Sequence, residues 1–195
     1  MEGYERARSS AEQAVVRRSK VFNDFPSKGV SFLDITPLFL NYQDFDVLLS
    51  YWQQKFQDVE LVVGLEARGF ILATAIAQKL QKGVVLLRKK GKLPGTVLSE
   101  TYSKEYGKDE FEIQEDIFSH APLPKNLHIL VVDDVLATGG TLCASIELVK
   151  KALAKNNIKQ YKISTCVVSS IKCLSGKEKI YEKYNDVSID VIHEI

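Results

Sequence analysis

An acidic pair followed by a turn of small residues is the stretch whose chemistry stands out first. Residues 129–141 read ILVVDDVLATGGT, an apolar run that leads into Asp133 and Asp134 and then into a helical pattern. Adjacent carboxylates at a strand end suit the vicinal hydroxyls of a ribose or a hydrated divalent cation. Backbone N–H groups and the dipole at the following helix start attract a phosphate. The residues that would form this phosphate cradle are Ala137, Thr138, Gly139, Gly140 and Thr141.

Two further segments place groups that bind anions after strands. In GLEARGF an apolar run is followed by Glu66, Ala67 and Arg68, so that the turn offers backbone N–H groups and a guanidinium to an anion. Four cations stand within five residues in RKKGK, a density that suits a pyrophosphate. A solvated run of surface charges is the alternative interpretation of both segments. The cations of the second segment are Arg88, Lys89, Lys90 and Lys92.

These segments follow a regular alternation of strand and helix patterns. Short apolar runs predict buried strands, and apolar residues at helical spacing between them predict helices from about Phe70 and from Gly139. Such an alternation predicts an α/β fold whose central, mainly parallel, twisted sheet is flanked by helices. Ligands of this class bind beyond the carboxyl ends of the strands. The predicted strands are Leu61–Leu65, Val84–Leu87, Leu127–Val132, Ile163–Val168 and Ser188–His193.

The segment between the two strand–helix–strand units has no helical period. Residues 89–125 contain several glycines and prolines, which predicts an antiparallel excursion or a mobile loop with Glu110–Ile113 as a strand. Gly83 is the predicted stop of the preceding helix. The charged N-terminus, residues 1–23, predicts a helix and has no apolar segment typical of a signal peptide.

Composition narrows the class of protein. The chain has 195 residues, of which 45% are hydrophobic and 26% charged, and this predicts one folded domain over residues 1–195. Its net charge of +1 argues against nucleic acid as a partner, and its apolar runs are far shorter than the roughly 20 residues that span a membrane. Cys143, Cys166 and Cys173 form no CxxC pair, which predicts reduced, partly buried thiols and a cytoplasmic location.

The motifs together resemble a known family. The string VVDDVLATGGT is similar to the phosphoribosyl-pyrophosphate (PRPP) motif of the type I phosphoribosyltransferases, whereas GxGxxG and Walker patterns are missing there. Three further strings narrow the resemblance to the adenine phosphoribosyltransferases, and the likeness extends from about Asp24 to Leu153. Those strings are DFPSKGVSFLDITPL, GLEARGFIL, and LRKKGKLPG with the TYSKEYGKDEFEIQ that follows it.

This resemblance implies a fold, an activity and a set of site residues. The fold would be the type I phosphoribosyltransferase fold, and the reaction would convert adenine and PRPP to AMP and pyrophosphate in purine salvage. Magnesium would be held through PRPP with no direct protein ligand, and the enzyme would be a homodimer in which Arg88 reaches the neighbour's PRPP. Asp133 and Asp134 would hold the ribose and residues 137–141 the 5-phosphate. The pyrophosphate would meet Glu66, Ala67, Arg68, Arg88, Lys89 and Lys92.

The resemblance also implies a base-binding hood and a mobile catalytic loop. The hood would cover residues 24–40 and contact adenine through Ser31, Phe32 and Leu33, although many relatives have an arginine in place of Leu33. The loop would cover residues 95–113, with Glu105 as general acid/base and Tyr106 packed over the closed site. A non-proline cis peptide would join Glu66 to Ala67.

Two alternatives remain beside this interpretation. The first is a phosphoribosyltransferase for another base, which would require a different hood. The second is a protein that senses PRPP or a purine and catalyses no reaction. His120, His128 and His193 have no metal-ligand spacing, and we assign them no role.

Overall fold

Helices and strands alternate along the part of the chain that the computed structural model describes, residues 2–25, 28, 31–104, 107–120 and 122–195. None of the helices in these ranges combines the length and apolarity that crossing a bilayer requires. The helices are α1 Glu2–Arg18, α2 Thr36–Leu40, α3 Tyr42–Lys55, α4 Arg68–Leu80, α5 Gly140–Lys155 and α6 Gly176–Lys183. The strands are β1 Lys20–Asn23, β2 Ser31–Asp34, β3 Leu61–Leu65, β4 Gly83–Lys89, β5 Val97–Lys104, β6 Gly107–Gln114, β7 Leu127–Leu136, β8 Tyr161–Ser170 and β9 Ser188–Glu194.

Seven of these strands form one sheet, in the order β5-β6-β4-β3-β7-β8-β9. The five neighbouring strands β4, β3, β7, β8 and β9 are parallel, while β6 and β5 extend one edge as an antiparallel hairpin. The predicted α/β fold with a mainly parallel sheet and an antiparallel excursion is therefore confirmed. Strands β1 and β2 form a separate antiparallel pair.

Alternation along the strands builds a core on each face of the sheet. In β3, Leu61 and Val63 pack in the cluster that contains α5, whereas Val62 packs in the cluster that contains α1, α3 and α4. All three side chains are buried, because a parallel strand inside such a sheet has helices over both faces. This explains why these strands read in the sequence as continuous apolar runs.

Two predicted boundaries were wrong. Helix α1 ends at Arg18 rather than near residue 23, because the β-branched and aromatic side chains of Val21 and Phe22 pair across β1 and β2. Helix α4 ends before Gly83: Gln81 adopts a left-handed φ of 56°, and the N–H of Lys82 turns back to the Ala77 carbonyl at 2.9 Å. Gly83 instead begins β4.

The order of the strands reverses between β3 and β7: the chain continues from β3 to β4 on one side and from β7 to β8 on the other. This reversal creates a crevice. Helix α4 leads from β3 to β4 on one face of the sheet, and α5 leads from β7 to β8 on the other. Pairing between β3 and β7 stops at Gly64 and Val132, while β7 continues to pair with β8 as far as Leu136. A crevice at the carboxyl ends of such strands is where ligands bind in open α/β sheets.

Candidate active site

An open cavity of about 360 Å³ occupies this crevice. Its walls come from four separate parts of the chain: the β3–α4 turn, the end of β4, the β5–β6 hairpin, and β7 with the start of α5. Seven residues that the sequence predicted for binding lie together here. The lining residues are Glu66, Ala67, Arg68, Lys89, Tyr102, Phe111, Asp133, Asp134 and Thr141.

The two carboxylates lie side by side at the floor of the cavity. Asp133 and Asp134 are both buried, and Asp133 Oδ1 accepts the backbone N–H of Asp134 at 2.9 Å. Burial, together with the neighbouring charge of Asp134, raises the pKa of Asp133 well above its usual value. The pair lies within β7 rather than after it, because β8 keeps pairing beyond Val132. Such a pair gains most from a ligand that donates hydrogen bonds or brings positive charge.

Arg68 connects this acid pair to the β1–β2 pair of strands. Its Nη2 lies 2.6 Å from Asp134 Oδ2, and its guanidinium carbon lies 4.9 Å from the centre of the Phe32 ring. Arg68 is the first residue of α4, directly after the cis peptide between Glu66 and Ala67 that the family resemblance implied. Gly69 allows this helix start to lie against β7, since a Cβ there would come within 2.8 Å of the Val132 carbonyl oxygen.

Glu66 organises the cations instead of offering its carboxylate to an anion. Its Oε2 accepts the Lys89 backbone N–H at 2.9 Å and Arg88 Nε at 3.1 Å, and its Oε1 accepts Lys92 Nζ at 2.9 Å. Burial alone would raise the pKa of Glu66, but these hydrogen bonds outweigh it and hold the pKa at about 2. The carboxylate thus binds three cationic residues, of which Lys89 lines the cavity.

We expect Glu66→Gln to lower the free energy of unfolding by about 2 kcal/mol at pH 7, because the amide loses charge-assisted hydrogen bonds. The folded pKa of about 2 lies below the ordinary 4.5, so this contribution is complete above pH 4.5 and is lost as the pH falls towards 2. Urea denaturation at a series of pH values measures it. Glu60→Gln, which removes an ion pair to Lys82 that is more exposed, is the matched control. A difference between Glu66→Gln and the wild type that stays constant down to pH 2 would contradict this account.

The predicted phosphate cradle is the turn between β7 and α5. Gly139 has a φ of +81°, which glycine adopts without strain, and its carbonyl accepts the first helical hydrogen bond from Cys143 at 2.9 Å. Thr141 lines the cavity directly. The turn therefore presents, beside the acid pair, the N–H groups at the start of α5, which have no partner within the helix.

The three predicted adenine contacts on strand β2 have different surroundings. Ser31 Oγ donates to Asn23 Oδ1 at 3.2 Å across the strand pair, and the Leu33 side chain is buried in the core. Phe32 faces Arg68 and packs edge-on against Phe25, with ring centres 5.2 Å apart. Only Phe32 thus directs its side chain towards the residues of the cavity, which leaves backbone groups as the available contacts at Ser31 and Leu33.

The β5–β6 hairpin contributes residues that sequence reasoning missed. Tyr102 stacks on Phe111 with ring centres 5.1 Å apart, and the Tyr102 hydroxyl and Lys89 Nζ lie 3.3 and 3.5 Å from Asp109 Oδ2. The alternation of polar and apolar residues along the predicted strand Glu110–Ile113 could have indicated that one of its faces is buried. It does not reveal which face lines the cavity. The predicted Glu105 and Tyr106 lie outside the described residues.

A line of aspartate, histidine and serine occurs at the opposite end of the parallel strands, near the starts of β7 and β8. His128 Nδ1 lies 3.0 Å from Asp58 Oδ2, and Nε2 lies 2.8 Å from Ser164 Oγ. Ser164 is 1% exposed and also contacts the Ser188 hydroxyl at 2.8 Å. A nucleophile needs access to its substrate, so this group stabilises the ends of β7 and β8 and is not a catalytic triad.

Comparisons with known proteins point to one family for this chain. The Phosphoribosyl transferase domain family matches residues 46–194. A probable adenine phosphoribosyltransferase of Dictyostelium discoideum is 55% identical over 194 residues, which is 98% of each chain.

Solved structures extend the similarity to the fold. The enzyme of Giardia lamblia, complexed with 9-deazaadenine, is 33% identical with a TM-score of 0.80, over 94% of this chain and 97% of that one. The adenine phosphoribosyltransferase of Saccharomyces cerevisiae was solved with adenine and an imino-altritol bisphosphate. It is 30% identical with a TM-score of 0.79, over 94% of this chain and 99% of that one. On this evidence the chain is a phosphoribosyltransferase and belongs to the adenine phosphoribosyltransferase family.

Proposed function

We propose that this enzyme transfers the phosphoribosyl group of PRPP to adenine and releases AMP and pyrophosphate, as a step of purine salvage. The observation that carries the proposal is a cavity lined by the buried acid pair, Asp133 and Asp134, together with Arg68 and Lys89. In the reaction, adenine N9 forms a bond to ribose C1, the bond from C1 to the pyrophosphate oxygen breaks, and the base loses its N9 proton. All of residues 1–195 would form one domain around this site.

The sugar phosphate binds along β7 and the turn after it. Asp133 and Asp134 accept hydrogen bonds from the ribose hydroxyls, which relieves the repulsion between two buried carboxylates. The 5-phosphate binds the N–H groups at the start of α5, where the helix dipole favours an anion. Its ligands are Ala137, Thr138, Gly139, Gly140 and Thr141.

The pyrophosphate leaving group binds the cations that Glu66 and Asp134 hold in place. Arg68, Arg88, Lys89 and Lys92 neutralise charge that grows as the bond to C1 breaks, so they stabilise the transition state more than bound PRPP. Glu66 and Ala67 contribute through the backbone of the cis turn, because the Glu66 carboxylate is already hydrogen-bonded to three cationic residues.

The cavity fits magnesium that arrives with PRPP. Asp134 is paired with Arg68, and Asp133 Oδ1 accepts a backbone N–H, so neither carboxylate is arranged as part of a dedicated metal cage. Bound through the ribose and pyrophosphate oxygens, Mg²⁺ would supply positive charge to the leaving group. The acid pair then orients the sugar to which the ion is bound.

Adenine lies under the hood of residues 24–40. Phe32 offers an aromatic face for stacking, and backbone groups of Ser31 and Leu33 supply donors and acceptors. Residues 95–113 close over the site, Glu105 moves the proton of the base, and Tyr106 packs over the closed cavity. Closure excludes water, which would otherwise attack the ribosyl centre.

An assay for PRPP-dependent turnover tests the proposal against the sensor alternative. Incubation with adenine, PRPP and Mg²⁺ should yield AMP and pyrophosphate in equal amounts. Calorimetry with PRPP and Mg²⁺ alone is the parallel measurement. Tight binding of PRPP without any nucleotide product would favour the sensor and refute the transferase.

We propose a homodimer that uses the exposed apolar face of β4. Val84 and Leu86 are each 38% exposed on the same face of the strand as Arg88, and Ile71 of α4 is 48% exposed beside Phe70, over whose ring Arg88 lies. Burial of this face by a second copy would bring Arg88 to the neighbour's pyrophosphate.

Leu86→Lys is expected to convert the dimer to a monomer, because a lysine at the centre of an apolar contact loses its hydration. Sedimentation should then show the monomer mass of 21.9 kDa. Tyr42→Lys, at a side chain that is 74% exposed on α3, is the matched control and should leave the dimer intact. A monomeric wild type, or a dimeric Leu86→Lys, would contradict the proposed interface.

The proposed setting is the cytoplasm, with small molecules as substrates and neither nucleic acid nor membrane as a partner. In support, all three cysteines are free thiols, although Cys173 is exposed where partial burial was predicted. The net charge of +1 offers little attraction to a polyanion.

A further inference from the structure

The segment that follows β8 packs against the turn between β7 and α5, which is the proposed phosphate-binding turn. The N–H of Ile171 donates to the Leu136 carbonyl at 2.9 Å, where β7 ends. Ile180 of α6 is fully buried, and the Tyr184 hydroxyl donates to Glu147 Oε2 of α5 at 2.9 Å. This segment is therefore attached to both elements that flank the turn.

Gly176, the first residue of α6, meets the turn backbone to backbone. A Cβ on Gly176 would lie 2.2 Å from the Ala137 carbonyl oxygen, 2.8 Å from Leu136 Cδ1 and 3.0 Å from Gly139 N. A Cβ on Gly139 would in turn lie 2.8 Å from the Gly176 carbonyl oxygen. Ordinary contact begins at 3.4 Å, so any side chain at residue 176 has to displace the turn.

We infer that Gly176 is a positioning residue for the 5-phosphate subsite, acting through the backbone of residues 137–139. The inference rests on the proposed function, because it takes that turn as the phosphate cradle. The nearest donor to the missing Cβ is the Gly139 N–H, one of the groups proposed to bind the phosphate. Displacing it misaligns charge-assisted hydrogen bonds and leaves the hood and Phe32 unchanged.

Calorimetric titration of Gly176→Ala with AMP and with adenosine tests this, since the two ligands differ only in the phosphate. We expect the Kd for AMP to rise about tenfold or more, and the Kd for adenosine to change by less than about twofold. Gly83→Ala is the matched control, because its Cβ would meet only Leu61 Cδ1 at 3.5 Å. An unchanged ratio of the two Kd values in Gly176→Ala would overturn the inference, as would a wild type that binds both ligands equally.

A second pair of variants applies if Gly176→Ala does not fold. Ile180→Ala removes the side chain whose Cγ1 lies 3.4 Å from the position of a Gly139 Cβ. Leu153→Ala removes an equally buried side chain near the far end of α5. The ratio of the Kd for AMP to the Kd for adenosine should rise only in Ile180→Ala, and equal ratios in both variants would overturn the inference. Failure of the proposed function is separate: it appears as a wild type that forms no AMP from adenine and PRPP.

Discussion

Replacing Glu105 with glutamine is expected to lower kcat about 100- to 10,000-fold, the usual contribution of a general acid or base. The glutamine keeps the size of the side chain but can neither accept nor release the proton that N9 loses. Binding of AMP should change little, because the expected role of the carboxylate is to accept or release the N9 proton during the reaction and not to hold the nucleotide. Initial rates with saturating adenine and PRPP, measured across a range of pH, determine the effect.

The pH profile separates proton transfer from loop structure. The limb of the profile that reports ionisation of Glu105 should vanish in Glu105→Gln. Glu110→Gln is the matched control, since Glu110 is a glutamate of β6 close to Glu105 in the sequence and pairs with Lys90 at 2.8 Å. Equal losses of kcat in the two variants, with unaltered pH profiles, would show that Glu105 has no role in moving the proton.

Asp133→Asn should lower kcat/KM for PRPP about 10- to 1,000-fold and at the same time raise the melting temperature. The activity falls because an amide is a weaker acceptor for ribose hydroxyls and brings no charge to the substrate-bound Mg²⁺. Stability rises because the substitution removes a buried charge beside Asp134. The amide oxygen still accepts the Asp134 N–H.

The direction of the pH effect follows from the raised pKa of Asp133. The folded state holds its proton to higher pH than the unfolded chain, so the wild type loses stability as the pH rises above the ordinary value of 3.8. Asp133→Asn should lack this loss. Thermal unfolding at several pH values and initial-rate kinetics provide the two readouts. Asp58→Asn, at the opposite end of the parallel strands, is the control. A variant that is both less stable and fully active would contradict the assignment.

Much of the fold was predictable because each parallel strand is buried on both faces. Leu61–Leu65 and Ile129–Val132 are apolar runs for this reason, and the stretch from each of them to the next apolar run leaves room for one crossover helix. The end of β7 was not predictable. In the sequence, the two carboxylates of Asp133 and Asp134 indicate the end of a strand. Pairing with β8, which is distant in the sequence, instead extends β7 to Leu136.

The candidate site was predictable where one short string supplies it. Asp133, Asp134 and Thr141 occur in one motif, while Arg68 follows β3 and Lys89 ends β4, and the carboxyl ends of these two strands lie side by side. The same reasoning grouped Glu66 with the anion ligands. Its role as the acceptor for Arg88 and Lys92 depends on contacts across more than twenty residues, which no local pattern encodes.

Two other contributions depend on packing rather than on residue type. Leu33 and Phe32 are neighbours on one strand, but alternation buries the first and turns the second towards Arg68. Gly176 is one of 11 glycines in the sequence, and only its contact with Ala137 distinguishes it from a glycine in an open loop.

A competition assay tests the central claim most directly. Equal concentrations of adenine, hypoxanthine, guanine and orotate are offered together with PRPP and Mg²⁺, and the nucleotide products are separated and quantified. Their initial ratio gives the ratio of kcat/KM values. We predict AMP in excess over every other nucleotide by about a hundredfold or more. A site whose donors and acceptors match the polar edge of adenine leaves some of them without hydrogen bonds when another base binds. Predominance of another nucleotide would contradict the assignment of the hood around Phe32 to adenine.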